Sequence, residues 1–331
     1  MHHHAATGPV TDLQLPAELI GTAPSVRHAA DVARRAVGSH DTILIVAEPG
    51  FSPERVARVI HEAGPRARQP FVSVDCTDSH AAAAELFGGG KASRSEYETV
   101  SAESALARVG AGTILLAGVG EMPVAAQVRL SRLLRDGEMR LRKTTAPVRF
   151  RLMATATPGL EFDVHNHRFR PELYQRLQRL RIDVPPLRDR SGDLPALIDA
   201  VLTEIGAGRA APCGLAPAAR TALAALRWTG NLVELREALF RLSKRCEGGL
   251  IRQEDVLADL QQPQARPRLA HASLASLREA RQAFERDYIA TVLEAYGWRM
   301  TDAARVLGIE RANLYRKTRQ LGITRLKSRA S

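Results

Sequence analysis

The sequence predicts an α/β fold: a parallel β-sheet covered by helices, then a small helical region, then a separate all-α domain. Three observations lead to this prediction. Between residues 18 and 190, runs of β-branched and apolar residues alternate with helical patterns, which is typical of a parallel sheet with helices on both faces. Residues 191–260 lack such runs and are predicted to be helical. Residues 261–273 are polar and proline-containing, as in a linker, and every pattern after them is helical.

Five segments carry the strand pattern, and each lies between two helical patterns. In chain order they read "TILIV", "FVSVDC", "GTILLAG", "VRFRLMATAT" and "RIDV". A long polar, Gly/Ser-rich stretch between the second and third, residues 88–104, is predicted to be a loop.

Length and composition exclude several classes of protein. The chain has 331 residues, of which 45% are hydrophobic, enough for two or three domains with a substantial core. No apolar run is long enough to cross a bilayer. The opening "MHHHAATG" resembles an expression tag, so residues 1–17 are left out of the fold prediction.

The cysteines and the charges point to a cytoplasmic protein that binds nucleic acid. Cys76, Cys213 and Cys246 are far apart in sequence and form no C-x-x-C motif, so we expect reduced thiols and no metal site. The net charge is +11. Residues 261–331 carry 14 Lys and Arg against 6 Asp and Glu, which suggests a nucleic-acid-binding tail domain. A basic tail that only aids solubility is the alternative on composition alone.

The first predicted strand leads into the layout of a phosphate-binding loop. After "TILIV" comes the Gly/Pro turn "AEPGFS", and then an amphipathic helix with Val56, Val59 and Ile60 on one face. A nucleotide-binding loop of this kind uses glycines to wrap the phosphates and a lysine at the start of the helix to neutralise them. Pro53 occupies the position of that lysine.

Segments along most of the chain resemble the NtrC-type enhancer-binding proteins that activate sigma-54 RNA polymerase. They include "LIGTAPSV", "ELFG", "QVRLSRLLRDGEMRLR", "FRPELYQRL", "VPPLRDRSGDL" and "WTGNLVELREAL", in the order of that family. The resemblance implies an AAA+ α/β core at residues 18–190, a helical lid at 191–260 and a Fis-type helix-turn-helix domain at 274–331.

The chain departs from the family pattern where ATP is hydrolysed. The phosphate loop has Ala47, Ser52 and Pro53 in place of two glycines and the lysine, and Ala117 and Gly118 stand in place of the Asp-Glu pair that serves metal and water. Two further family residues appear as Thr157 and Val233, and the GAFTGA loop is absent from residues 89–100. We therefore expect no catalytic residues, no metal, no cofactor and no enzymatic activity.

Several charged residues remain as candidates for an effector site. Arg170 and Arg176 stand where the family has its trans-acting arginines, and Arg188 is expected near a lid or subunit boundary. Glu54 and Arg58 keep an E-x-x-x-R arrangement that some relatives use for cyclic di-GMP. The simpler interpretation is that Glu54 and Arg58 form an ion pair one helical turn apart and that the other arginines also pair with nearby acids.

Residues 274–331 resemble the Fis-type helix-turn-helix. Six residues with helical spacing give an apolar face suited to dimerisation, namely Leu277, Ala280, Phe284, Tyr288, Val292 and Tyr296. Thr301 is a candidate N-cap, Gly308 allows the turn, and the second helix is expected from Arg311 to Leu321 with Gly322 at its end.

The second helix of such a motif enters the major groove of DNA. Arg311 and Asn313, at its start, are the candidates for reading bases, because Arg pairs with guanine and Asn with adenine. The candidates for phosphate contacts are Tyr315, Arg316, Lys317 and Arg319. A helical dimerisation hairpin with a basic surface is the alternative.

These features together predict a sequence-specific DNA-binding transcriptional regulator. Its AAA+ domain is expected to serve oligomerisation or effector sensing, with cyclic di-GMP as the candidate effector. The expected partners are an inverted-repeat site on double-stranded DNA, RNA polymerase, and further copies of the chain in a homodimer or higher homo-oligomer, with no membrane. The alternatives are an active sigma-54-dependent AAA+ ATPase and an architectural DNA-binding protein without an effector.

Overall fold

The structure is a computed structural model of the chain, and it divides into two compact units, Met1–Ala270 and His271–Ser331. In the first unit it describes residues 15–88, 97–141, 144–206, 213–246 and 249–261. In the second it describes residues 285, 286, 289, 290, 292, 293, 298–307, 309, 311–321 and 323.

The first unit contains a five-stranded parallel sheet in the order β2-β4-β7-β1-β8. The strands are β1 (Ile43–Ala47), β2 (Phe71–Asp75), β4 (Thr113–Ala117), β7 (Arg151–Ala156) and β8 (Leu180–Val184). All five predicted strands are present, and every pairing between them is parallel. The predicted α/β class is confirmed.

Both faces of this sheet are covered by helices, as the near-continuous apolar strands require. Ile43 and Ile45 pack in one hydrophobic cluster, and Leu44 and Val46 pack in the other, on the opposite face. The helices of the core are α1 (Pro24–Gly38), α2 (Pro53–Glu62), α3 (Ser79–Phe87), α4 (Ala105–Arg108), α5 (Val124–Asp136), α6 (Leu160–His165) and α7 (Pro171–Leu177).

A second, three-stranded sheet was not predicted. It consists of β3 (Glu98–Val100), β5 (Glu138–Leu141) and β6 (Thr144–Pro147) in the order β3-β5-β6. Beneath it, the Arg129 side chain donates to buried Glu98 at 2.6 Å and lies over the ring of Phe87, 4.0 Å from its centroid. This pair fixes β3, whose three residues are too few to show an alternating pattern in the sequence.

Residues 191–260, which were predicted to be helical, are mostly helical but also contain two short strands. Its helices are α8 (Leu194–Gly206), α9 (Pro217–Ala224), α10 (Asn231–Arg245) and α11 (Gln253–Gln261). The expectation that residues 191–260 contain no strand is wrong, because β9 (Gly214–Leu215) and β10 (Leu250–Ile251) form a short parallel pair. Strands of two residues leave no periodic signal in a sequence. We call residues 191–261 the lid.

The second unit contains the two helices expected of a helix-turn-helix. They are α12 (Met300–Val306) and α13 (Arg311–Gln320), and they pack around Leu314, Ala303 and Ala304. Thr301 lies inside α12 and is not its N-cap, since the helix already begins at Met300. Of the other residues predicted here, Leu277, Ala280, Phe284, Tyr288, Tyr296, Gly308 and Gly322 lie outside the described residues.

No described helix combines the length and the apolar composition needed to span a membrane. No group of three or more His, Cys, Asp and Glu among the described residues is arranged to hold a metal ion.

Candidate functional site

The loop between β1 and α2 joins the carboxyl end of a central strand to the start of a helix, which is the location of a phosphate-binding loop in such a fold. Pro53 is the first residue of α2, a position where proline is favoured because its missing N–H would have no partner in the helix. Gly50 has a φ of +90°, and a Cβ added to it would lie 2.1 Å from the carbonyl oxygen of Gly230. Only glycine fits there, because both the conformation and the space exclude a side chain.

The lid contacts this loop directly through the start of α10. The Val233 N–H donates to the carbonyl oxygen of Gly50 at 3.0 Å, and the Asn231 amide donates to that of Pro49 at 2.9 Å. The Asn231 side-chain oxygen accepts from the Leu187 N–H at 3.0 Å. Asn231 is buried and adopts a φ of +53°. These bonds join the loop, the end of the core and the lid at one place, which we call the core–lid junction.

Arg188, one of the predicted effector residues, lies at the core–lid junction. Its guanidinium donates two hydrogen bonds of 2.6 Å to the two carboxylate oxygens of Glu48. This bidentate geometry is the strongest form of an arginine–carboxylate contact. The acidic partner was not predicted, because 140 residues separate the two in sequence.

The predicted pair Glu54 and Arg58 is not an ion pair. Arg58 lies over the ring of Phe71, 4.7 Å from its centroid, and none of the ion pairs found among the described residues joins it to Glu54. Burial raises the pKa of the Glu54 carboxyl, and the nearby Asp75 and Glu18 raise it further. The surroundings of Glu54 therefore disfavour a negative charge.

The two arginines in the positions of the family's trans-acting residues contact their own chain. Arg170 approaches Glu172 at 3.5 Å, and Arg176 donates to the carbonyl oxygen of Leu134 at 3.3 Å. Arg170 thus contacts an acid, as the structural interpretation expects, whereas the Arg176 contact is to a backbone carbonyl oxygen.

The residues at the end of β4 and in the loop carry no ionisable side chain at the three positions that the resemblance assigns to ATP chemistry. These are Pro53, Ala117 and Gly118. Gly118 has a φ of +65°, and its N–H donates to the Thr155 hydroxyl at 2.9 Å. The backbone turn after β4 is thus held by Thr155.

Sequence reasoning missed two buried charged residues, Arg190 and Asp193, that bind the segment before α1. Asp193 accepts from the Thr22 N–H at 2.6 Å and from the Ala23 N–H at 3.2 Å. Arg190 is 2% exposed, donates to the carbonyl oxygen of Glu18 at 3.0 Å, and has its pKa lowered to about 10 by burial. Both residues belong to the segment "PPLRDRSGDL". Its mixture of acids and arginines was the one feature of the sequence that could have pointed to buried charged contacts.

In the second unit, α13 exposes one basic face. Its exposed residues are Arg311, Ala312, Tyr315, Arg316 and Arg319, and their spacing places them on one side of a helix. We call these five residues the basic face. The Arg311 guanidinium lies 5.7 Å from the centroid of the Tyr315 ring. The basic face carries three arginines and no acid.

Two of the predicted DNA-binding residues lie beside the basic face and contact other side chains. Asn313 is half-buried, and its side-chain oxygen accepts from Arg316 at 3.0 Å. Lys317 is also half-buried and pairs with Glu285.

Three protein families match successive parts of the chain. Residues 19–183 match the sigma-54 interaction domain, residues 188–273 match the AAA+ ATPase lid domain, and residues 280–321 match the bacterial regulatory proteins of the Fis family.

Curated relatives match over nearly the whole chain. The Nif-specific regulatory protein of Azotobacter vinelandii is 32% identical over 88% of the chain and 56% of its own length. The hydrogenase transcriptional regulatory protein HoxA of Cupriavidus necator is 34% identical over 88% of the chain and 63% of its length. The DNA-binding transcriptional regulator NtrC of Salmonella typhimurium is 30% identical over 96% of the chain and 71% of its length. The chain thus spans less than two thirds of the first two relatives.

Solved structures of NtrX from Brucella abortus are also similar. The ADP complex has a TM-score of 0.61 and 28% identity over 93% of this chain and 70% of that one. The ATP complex has a TM-score of 0.61 and 27% identity over 92% of this chain and 69% of that one.

These matches correct one prediction. The expectation that the chain is not an enzyme is wrong at the level of the family, because the lid is that of an AAA+ ATPase and the similar NtrX was solved with ATP and with ADP. The expected resemblance itself is confirmed. The chain belongs to the family of bacterial transcriptional regulators that combine a sigma-54 interaction domain, an AAA+ lid and a Fis-type DNA-binding domain.

Proposed function

We propose that this chain is a sequence-specific DNA-binding regulator of transcription that acts with sigma-54 RNA polymerase and binds DNA through the basic face of α13. The single observation that supports this most is the composition of that face, with Arg311, Arg316 and Arg319 exposed and no acid among them. Arginines on one side of a helix supply both phosphate contacts and bidentate contacts to guanine.

The packing of α13 supports its use as a recognition helix. Leu314 is fully buried against α12, and Thr318 is 8% exposed. The helix is therefore anchored by its inner side, while the opposite side is available to a groove of the duplex. Arg311 at the first turn is the base-reading residue of this proposal, and Arg316 and Arg319 hold phosphates. Asn313 reaches a base only after it releases Arg316.

The proposed role of the AAA+ domain is oligomerisation or effector sensing. In support, the Val233 N–H and the Asn231 side chain of the lid donate hydrogen bonds to the loop after β1. Arg188, just before the lid, pairs with Glu48 of the same loop. Such a junction transmits a change at the loop to the lid. A dimer or larger homo-oligomer agrees with an inverted-repeat DNA site, with half-sites about one turn of duplex apart.

Cyclic di-GMP is the candidate effector, and it has less structural support than the DNA-binding proposal. Arginines suit its phosphates and guanines, but Arg188 would first have to leave Glu48 and Arg58 would have to leave Phe71. Calorimetric titration of the intact chain tests this: binding that is lost in Arg58→Ala supports it, and no heat at millimolar ligand refutes it. The absence of binding would also favour the alternative function, an architectural DNA-binding protein without an effector.

DNA binding is tested with a matched pair of triple variants. Duplexes selected from a random pool by the intact chain are titrated with the parent and with Arg311→Ala/Arg316→Ala/Arg319→Ala. The control is Arg35→Ala/Arg140→Ala/Arg252→Ala, which removes three exposed arginines of the first unit and the same net charge. We expect the basic-face variant to lose affinity by a factor of roughly a hundred or more and the control to lose little. Equal losses in both would refute the proposed interface.

The polymerase partner is tested separately. Purified sigma-54, with and without core polymerase, is mixed with the intact chain, and co-elution is measured with the housekeeping sigma factor as control. Selective co-elution with sigma-54 is the expected result. No difference between the two sigma factors would refute this part of the proposal and leave the DNA-binding part standing.

A further inference from the structure

The lid contains a cavity of about 350 Å³ between α9, α10 and α11. This is within the size range of pockets that bind small organic molecules. None of its lining residues belongs to the loop after β1 or to the basic face. The cavity is therefore distinct from the loop and from the basic face, although Val233 of the core–lid junction is one of its lining residues.

The walls of this lid cavity are mostly apolar. Leu223 and Trp228 form one side, Leu242 lies on α10, and Val256 and Leu260 lie on α11. The Trp228 ring is held in place, because its indole N–H donates to the carbonyl oxygen of Leu223 at 2.9 Å. A fixed indole wall favours an aromatic occupant, since offset or edge-to-face ring contacts add to the gain from burial.

Three of the five charged residues that line the cavity have hydrogen-bond or ion-pair partners within the protein. Asp259, 5% exposed, accepts from Arg241 at 2.7 Å and lies 3.3 Å from Arg245. Glu234 accepts from the Gly230 N–H at 2.7 Å. Arg227 and Glu237 also line the cavity, but they are exposed to water. A charged ligand would lose its hydration without a dedicated counter-charge inside, so an uncharged one is favoured.

The cavity adjoins the segment that joins the lid to the core. Trp228 lies in the turn before α10, and Asn231 is the first residue of that helix. They adopt φ angles of +47° and +53°, which are uncommon for residues other than glycine and rarer for Trp than for Asn. Gly230 and Val233 line the cavity, and the Val233 N–H also binds Gly50 of the loop. An occupant would therefore rest against residues that form the core–lid junction.

From the apolar walls, the fixed indole and the paired charges, we propose that the lid cavity is a binding site for a small, uncharged aromatic molecule. Such a ligand inserts its ring beside Trp228 and stabilises the turn Trp228–Asn231. The site goes beyond the proposed DNA and polymerase contacts, and it does not depend on them.

The test uses Nile red, an uncharged aromatic dye, with the intact chain. We expect saturable binding with increased, blue-shifted emission, and displacement by indole. Leu260→Trp places a ring at the α11 wall of the cavity and should weaken binding by roughly tenfold or more. Leu257→Trp is the matched control: Leu257 is also an exposed leucine of α11 but does not line the cavity. Ala238→Leu narrows the cavity from α10 and serves as a second variant if Leu260→Trp unfolds.

Three results would overturn the proposal. Nile red emission that does not saturate or does not respond to indole would show that the site does not exist. Equal affinity in Leu260→Trp, Ala238→Leu and Leu257→Trp, with all three folded by circular dichroism, would place the dye elsewhere. Equally tight competition by anilinonaphthalene sulfonate, which carries a negative charge, would refute the uncharged class of ligand.

Discussion

The backbone N–H of Val233 donates to the carbonyl oxygen of Gly50 at 3.0 Å and so connects the first turn of the lid helix α10 to the loop after β1. This contact lies between residues far apart in sequence, and it depends on Gly50 having no side chain.

Replacing Gly50 by alanine should destabilise the first unit. The new Cβ would lie 2.1 Å from the Gly230 carbonyl oxygen, and the φ of +90° is strained for any residue with a side chain. We expect a loss of about 2 kcal/mol or more in the free energy of unfolding, measured with urea. Gly38→Ala is the control, because a Cβ there meets nothing within 4 Å. Equal stability of the two variants would contradict the close contact.

His61 should make the first unit lose stability in mild acid. The ring is buried and its Nδ1 lies 2.9 Å from the Thr113 hydroxyl, and burial lowers the pKa below the ordinary value of 6.5. The unfolded chain therefore takes up the proton first as the pH falls, so stability is lost from about pH 6.5 downward. Urea unfolding of His61→Gln should show a shallower acid loss than the parent. Exposed His28→Gln should behave like the parent, and the same slope in all three proteins would count against this role.

Glu54 should make the first unit lose stability as the pH rises, which is the opposite of the effect of His61. Its carboxyl pKa is raised from 4.5 by burial, with Asp75 and Glu18 adding to the effect. A raised pKa means that the stability present in acid is lost as the pH rises through the folded-state value. Glu54→Gln should therefore gain stability relative to the parent as the pH is raised above about 4.5. Glu62→Gln, an exposed acid at the end of the same helix, is the control. A constant difference between Glu54→Gln and the parent across pH 4–7 would refute the prediction.

The sequence was sufficient for the sheet but not for the contacts around the loop. The five strands of the large sheet are long enough to show apolar runs, whereas β3, β9 and β10 have only two or three residues and no pattern. Pro53 at the start of α2 was readable because its effect on the helix is local. The partner of Arg188 is Glu48, 140 residues away, and no local rule links them.

In the helix-turn-helix, too, the helices could be predicted from the sequence, but the contacts of individual side chains could not. The existence of α13 was predicted from the resemblance to the Fis-type helix-turn-helix, and the basic face contains four of the six residues that were predicted to bind DNA. Lys317 and Asn313 could not be separated from those four by residue type alone. Their half-buried positions follow from how α13 packs on its own unit, and Lys317 pairs with Glu285 from an earlier part of the chain.

The most direct measurement of the central claim, that the basic face binds DNA, compares single substitutions on the selected duplex at several salt concentrations. Arg311→Ala should cost about 1–3 kcal/mol and relax base preference at one position. Arg319→Ala should weaken all sequences alike and reduce the slope of log affinity against log salt by about one. Lys317→Ala should have a smaller effect than Arg319→Ala, because Lys317 is paired with Glu285. Unchanged affinity, base preference and salt slope in both arginine variants would contradict the account.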